Sequence, residues 1–283
     1  MSRTDPALSI RRILVALDAS PQSLAALDAA VTMAQRMEAE LAGLFVEDEN
    51  LLRAAESPYA REILYPSAKE SPLSRSSLER TLRTQAEKAR ASLSSAAQRA
   101  HVPWSFRSVR GQVTPELLAA AAQTDLIVMG KVGWSLGARF RIGSTALELI
   151  ESAIPVLLLS GDTMPAILHL LVFYDGSAEA KRALEFAAVL AGADSGKLTV
   201  LLAAPDEETT KTMRAEATNL LADSDIEARW QRIDPADRAG LLRLLRDAQN
   251  GLFVLGGSEP LQKLPLLEAV LRESKVPVLL LRK

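Results

Sequence analysis

Short aliphatic runs alternate with stretches of helical period along all 283 residues of the chain. The first run, Ile13 to Leu17 in "RRILVALDAS", is too short for a helix and rich in branched residues, which predicts a buried strand. Asp18 ends it. Ser20 before Pro21 has the form of an N-cap followed by a first helical proline, and Leu24, Leu27 and Val31 then fall on one helical face. "AELAGLFVED" predicts a second strand, and Leu78, Leu82, Ala86, Ala89 and Leu93 mark the inward face of a long second helix. "WSFRSV" is a third strand, "TPELLAAAAQ" a helix opened by Thr114 and Pro115, and "DLIVMG" a fourth strand. A helix over 143–153 and the strand "IPVLLLS" complete the unit. Strands separated by helices imply a parallel sheet with helices on both faces.

The second half of the chain repeats the first. "ILVALDAS" matches "LLVFYDGS", which sets Asp18 against Asp175 at an offset of 157 positions. "DLIVMG" matches "GLFVLG", and both Gly130 with Gly256 and Trp104 with Trp230 stand 126 apart. "IPVLLLS" matches "VPVLLLR" with Pro155 and Pro277 separated by 122. The fall from 157 to 126 gives the first copy 31 extra residues before its third strand, and the fall from 126 to 122 gives it 4 more between its fourth and fifth. The larger insertion includes the polar stretch "EDENLLRAAESPYAREILYPSAKESPLSR", which lacks sustained periodicity. A boundary at "SGDTMPA" divides the chain into two α/β domains, 1–160 and 166–283. The last strands of the two copies read either as ordinary interior strands or as partners that pair within the chain.

Composition narrows the function classes. With 48% apolar and 24% charged residues the chain is of ordinary globular type, and a net charge of −2 gives no reason to expect nucleic acid or an anionic membrane as partner. Cysteine is absent, which removes disulfides, thiolate metal sites and cysteine nucleophiles. The opening "MSRTDPALSIRR" has no apolar core of signal-peptide length, and the aliphatic runs are strand-sized, so the expectation is a cytoplasmic soluble protein.

The chemistry concentrates in "GKVGWSLGARFRIGST", residues 130–145. In an open parallel sheet, ligands gather at the carboxyl ends of the strands where strand order reverses, and both Asp18 and Gly130 end strands. Glycine lets backbone approach a ligand closely, and the N–H groups of a helix opened by Gly143 and Ser144 attract an anion. Gly130 taken alone reads as a strand-end turn. The spacing Gly-x2-Gly-x9-Gly-[Ser/Thr], formed by Gly130, Gly133, Gly143 and Ser144, is harder to dismiss, because chance would produce it in roughly 0.5% of chains this long.

On those residues the chain resembles a tandem member of the universal stress protein family, whose ATP-binding members carry this glycine pattern after the fourth strand. The resemblance implies two Rossmann-like domains of the adenine nucleotide alpha hydrolase type, each an open five-stranded parallel sheet. It further implies ATP, alone or with Mg2+, in the first domain. Ala16, Leu17 and Asp18 would lie beside the nucleotide, Val46 against the adenine, and Met129 before the ribose and phosphate contacts. Thr145 would follow Ser144 at the phosphates. Ala16 and Leu17 depart from the Pro-Thr of some nucleotide-binding relatives. The second copy keeps Asp175, but "GGSEPLQKLPLLEAV" has no glycine after Gly257, so the second domain is expected to lack the cradle and to serve as a structural partner.

Other residues read more plainly. His101 and His169 lack metal-ligand companions and are expected at a surface or strand start. "EDEN" at 47–50 reads as a solvated turn, with Mg2+ binding as its alternative, and Trp104 and Trp230 read as core. Trp134 either covers a ligand or packs on the next helix. The helix around "LERTLRTQAEKAR" interleaves its charges and has no aromatic platform, which makes it a wet face and not a nucleic-acid surface. No nucleophile has an evident base, so slow ATP hydrolysis is the most that is expected of it as an enzyme. The expected function is a nucleotide-dependent stress-response switch read by protein partners, with further association of chains left open. The rivals are a scaffold or small-ligand protein acting through protein contacts, and an ATP-using enzyme, for which "DASPQS" is the wrong loop.

Overall fold

Both halves of the chain build the same five-stranded unit, and a computed structural model describes residues 10–64, 69–130, 144–150, 154–159, 169–192, 197–222, 224, 226–248, 251–256 and 264–281. In the first unit β1 (Arg12–Ala16) leads into α1 (Pro21–Met37) and β2 (Glu40–Asp48). The inserted segment follows as α2 (Glu49–Ala54), β3 (Arg61–Leu64) and β4 (Lys69–Pro72). Then come α3 (Arg75–Arg99), β5 (Trp104–Gly111), α4 (Val113–Ala121), β6 (Leu126–Gly130), α5 (Ser144–Ile150) and β7 (Val156–Leu159). The second unit runs β8 (His169–Tyr174), α6 (Ala178–Gly192), β9 (Lys197–Ala203), α7 (Glu207–Leu220), β10 (Ala228–Ile233) and α8 (Arg238–Asp247). It closes with β11 (Gly251–Gly256), α9 (Leu264–Glu273) and β12 (Val278–Leu281).

The two sheets are one. Ten strands run in the order β10-β9-β8-β11-β12-β7-β6-β1-β2-β5, parallel throughout except where β12 meets β7. The open alternative of the last strands is therefore settled in favour of pairing. The register is self-complementary, with Val278 opposite Leu158, Leu279 opposite Leu157 and Leu280 opposite Val156. Leu157 and Leu279 are equivalent positions of the repeat, so a local twofold passes through this pair, as in an isologous dimer interface. Helices α1, α3, α6 and α7 bury residues in the core on one face, and α4, α5, α8 and α9 in the core on the other, each core spanning both halves.

Local chemistry accounts for the elements and for three departures from expectation. Ser20 caps α1 as expected, its Oγ accepting the Ser23 N–H at 3.1 Å with Pro21 in the first turn. Leu24 does not join the inward face and stays 40% exposed, because the buried arc of α1 is centred on Ala26, Ala30 and Ala34 and Leu24 falls at its margin. Thr114 does not cap α4. The helix starts at Val113 after Gln112 without a side-chain cap, and Pro115 sits in the first turn, where a missing N–H leaves no bond unmade. The insertion is not featureless: Asp48 caps α2 by accepting the Asn50 N–H at 2.9 Å, Leu52 and Ala55 are buried in the core, and β3 pairs with β4 as an antiparallel hairpin. The inward residues expected of α3 are all buried.

Trp104 and Trp230 are half-buried and not interior, because β5 and β10 are the outermost strands. The Arg214 guanidinium stands over the Trp230 ring at 5.6 Å. His101 is exposed just after α3 with φ +55°, and His169 begins β8. The expected boundary at 160–166 lies outside the described residues.

Candidate functional site

Strand order reverses between β1 and β6. From β1 the chain moves outward to β2, while β6 leads the other way to β7, and the two strands lie parallel with Val15 opposite Val128. A crevice opens at such a reversal, beyond the carboxyl ends of the strands. Ala16, Leu17, Asp18, Met129 and Gly130 stand at those ends, with Val46 near the end of β2. Ser144 and Thr145 open α5. Gly133, Gly143 and Trp134 lie outside the described residues.

Strand alternation sorts these residues by face. Ala16, Val46 and Met129 turn toward the α4–α5 side, Ala16 and Val46 half-buried and Met129 almost fully so. Leu17 turns the opposite way into the α1–α3 core, and its N–H donates to the Leu44 carbonyl at 2.9 Å. The first three form an apolar surface at the crevice, and Leu17 contributes only to the wall behind it.

Asp18 shapes the turn. Its Oδ1 accepts the Ser20 N–H at 2.9 Å across Ala19, whose φ is +60°. In the second half Asp175 Oδ1 accepts the Ser177 N–H at 3.1 Å across Gly176 at φ +80°. The aspartate thus has the same structural task in both halves. Gly130 also has one: a Cβ there would stand 3.0 Å from Gln22 Cβ, in the first turn of α1. At the equivalent Gly256 a Cβ would stand 2.4 Å from the Glu179 carbonyl carbon in α6. Both glycines let a helix cross the end of its fourth strand, which is the plainer reading of Gly130.

What separates the halves is the residue opposite the crevice. Phe173 occupies the position of Ala16, turned to the corresponding α8–α9 face and only 5% exposed. Where the first half has the small Ala16 beside Val46 and Met129, the second has a phenyl ring among Ala203 and Leu255. Sequence reasoning missed this residue. Its signal was present in the paired strings "LVALD" and "LVFYD", but only the face assignment gives it meaning. Next to it, Tyr174 is fully buried on the other face, and its hydroxyl donates to Glu216 Oε2 at 2.9 Å. Burial, reinforced by Glu216, raises the Tyr174 phenol above its ordinary range, and Lys181 followed by Tyr174 holds the Glu216 carboxyl below its own.

At the rim of the first crevice an ionic chain ties the insertion to the sheet. Arg110 Nη2 meets Glu47 Oε2 at 2.9 Å and its Nη1 meets Glu79 at 3.3 Å. Arg75 Nε reaches the same Glu79 oxygen at 3.3 Å, and Arg75 also pairs with Glu56. In "EDEN", Glu47 and Asp48 are thus engaged with Arg110 and with the α2 cap, and Glu49 pairs with Arg53. Among the described residues no cluster of three or more histidines and carboxylates could hold a metal, and no helix is long and apolar enough to cross a membrane.

The fold defines a tandem α/β protein: two open parallel sheets of order 3-2-1-4-5, fused edge to edge, with the same reversal of strand order in each half. The universal stress protein family matches residues 9–160 and 167–249, and the chain belongs to that family. The second match stops before β11, the strand after which its glycine pattern would have to lie. A universal stress protein from Archaeoglobus fulgidus is similar over 98% of this chain and 99% of its own, at 20% identity and a TM-score of 0.72. A universal stress protein from Pseudomonas aeruginosa aligns over 98% and 95% at 16% identity and TM-score 0.59. The cytoplasmic domain of a prokaryotic cation chloride cotransporter aligns over 96% and 95% at 12% identity and TM-score 0.52. At these identities the likeness is one of fold. No curated protein matches the chain.

Proposed function

We propose that the first domain, 1–160, binds ATP, alone or with Mg2+, and that the second, 166–283, is its built-in structural partner. The observation that carries the reading is the exchange of Ala16 for Phe173 on a strand whose following turn is closed by an aspartate in the same way in both halves. The adenine lies against Ala16, Val46 and Met129, and Asp18 stands beside it. Gly130, Gly133, Gly143, Ser144 and Thr145 hold the phosphates, with Leu17 in the supporting wall. Nucleotide biases loop 131–142 and the insertion 47–75 between open and ordered states, and protein partners of the stress response read the difference. The ionic chain from Glu47 through Arg110 to Glu56 supports that coupling, since Glu47 follows Val46 directly.

Calorimetric titration with Mg-ATP tests the site. Wild type binds with one site per chain, and Ala16→Phe abolishes binding while the protein stays folded, because the second half already accommodates Phe173 at that place. Gly143→Val has the same effect through the phosphates. Equal ATP affinity in wild type and Ala16→Phe sinks the proposed pocket. One observation favours the scaffold reading: Tyr59 in the insertion is 87% exposed and Leu51 43%. Absence of saturable ATP binding to the wild type would hand the function to that surface.

A further inference from the structure

A second opening lies in the first half, between the edge of the sheet and the end of α4. Leu14, Ala42 and Leu44 line it from the sheet, Ala120 at the end of α4 with Gln123 and Thr124 just after that helix from the other side, and Arg12 and Arg107 add charge. It is a partly open cleft with room for about 160 Å³, enough in volume for a benzene-sized body, which a buried apolar cavity of ~150 Å³ accepts. Its neighbours on β1 and β2 precede Ala16 and Val46 by two residues or more, so it lies lower on the same strands than the crevice.

The donors around it are unevenly committed. Ser105 Oγ donates to Glu40 Oε1 at 2.9 Å, and Thr124 Oγ1 donates to the Ala121 carbonyl at 3.0 Å. Arg12 Nη2 stands 3.9 Å from the same Glu40 oxygen. The Arg12 Nε is buried and has no acceptor among the described residues. The Arg12 side chain as a whole is 39% exposed and Glu40 faces its Nη2, so the buried donor without a partner among the described residues is Nε, for which a carboxylate oxygen is a natural acceptor.

The repeat supplies an internal control. Arg12 corresponds to His169 and Ala42 to Thr199, and in the second half these two close on each other, His169 Nε2 to Thr199 Oγ1 at 2.9 Å. The first half has a methyl group and an arginine at these places. The same strand positions thus carry a mutually bonded pair in one copy and an arginine beside a methyl group in the other, at a place separate from the carboxyl ends of the strands.

We infer that this cleft is a binding site for a small monocarboxylate with a compact apolar body, its carboxylate on Arg12 and its body on Leu14, Ala42 and Leu44. The inference goes beyond the nucleotide reading and does not depend on it. Benzoate is the probe, titrated to about 20 mM against methyl-labelled full-length protein, with benzyl alcohol as the uncharged control. Wild type should show saturable shifts at Ala42, Leu14 and Leu44, and Arg12→Met should weaken benzoate about tenfold or more while leaving benzyl alcohol unchanged. The double variant Arg12→His/Ala42→Thr, which installs the hydrogen-bonded pair of the second half, should lose the shifts and keep a native spectrum. If that variant fails to fold, Ala42→Thr alone serves, with reduced binding expected. Absence of shifts at these methyls in wild type, shifts confined to Met129 and Val46, or benzoate affinity indifferent to Arg12 and Ala42 would each overturn the assignment.

Discussion

The strand-to-helix turn after β1 holds an alanine where its repeat partner holds a glycine, and this makes a reciprocal experiment. Ala19 has φ +60° and Gly176 φ +80°. An L-residue in the left-handed region costs roughly 1–2 kcal/mol, and removing a Cβ returns about 0.4–1 kcal/mol of flexibility to the unfolded chain. Ala19→Gly should therefore stabilise by about 0.5–1 kcal/mol. Gly176→Ala should destabilise by a similar amount, with no steric surcharge, because its Cβ would meet Met213 Cε at 3.7 Å and Glu216 Oε2 at 3.9 Å, both ordinary contacts. In a protein of this size that is about 1–3 °C in Tm in each direction. Urea unfolding with calorimetry, on nucleotide-free protein, measures both variants against wild type. A stability loss in Ala19→Gly, or no change in Gly176→Ala, would refute the argument that the turn and not its surroundings sets the cost.

Further expectations concern the second half and the joint. Burial, aided by Arg229 and Lys197, lowers the His169 imidazole from its ordinary 6.5. The unfolded chain then takes up the proton first as pH falls, so stability contributed above about pH 6.5 is lost on acidification, and His169→Asn should flatten the stability profile between about pH 7 and pH 5. Tyr174→Phe removes a hydrogen bond to a carboxylate whose far side is solvated, at a cost of about 1 kcal/mol in urea unfolding. Leu157→Ala and Leu279→Ala should each cost about 2–5 kcal/mol, and the double variant should depart from their sum by about 1 kcal/mol or more, since the two face each other across the joint. Trypsin cleavage at Arg61 and Lys69 should slow when Mg-ATP is added to wild type but not to Arg110→Ala; equal rates in wild type would sever the insertion from the nucleotide.

Much of the fold was legible because the strands are aliphatic runs bounded by strong punctuation: Asp18, Ser20 and Pro21 do in three dimensions what their types suggest. The offsets of the repeat also located the insertion. What was not legible depends on facing. Leu24 has the right period but lies at the edge of an arc that alanines define, and the hairpin β3–β4 has strands too short for alternation to register. At the candidate site, Asp18 and Gly130 were legible as strand-end residues, yet their tasks in the structure are a turn and a helix crossing, shared with the second half. Two differences between the halves on the strands themselves, Ala16 against Phe173 and Arg12 with Ala42 against His169 with Thr199, were not legible in this way. Each is a change of side-chain size whose effect appears only when one knows which strands stand side by side.

The self-matching joint at Leu157 and Leu279 also bears on how such a molecule can specialise. Two separate subunits meeting through that edge would depend on their concentration to stay together, and being identical they would have to be hollow or filled alike. Tethered in one polypeptide, the partners meet regardless of dilution and are released from sameness. Each lobe can then change on its own, as Ala16 in one and Phe173 in the other have done at the same place.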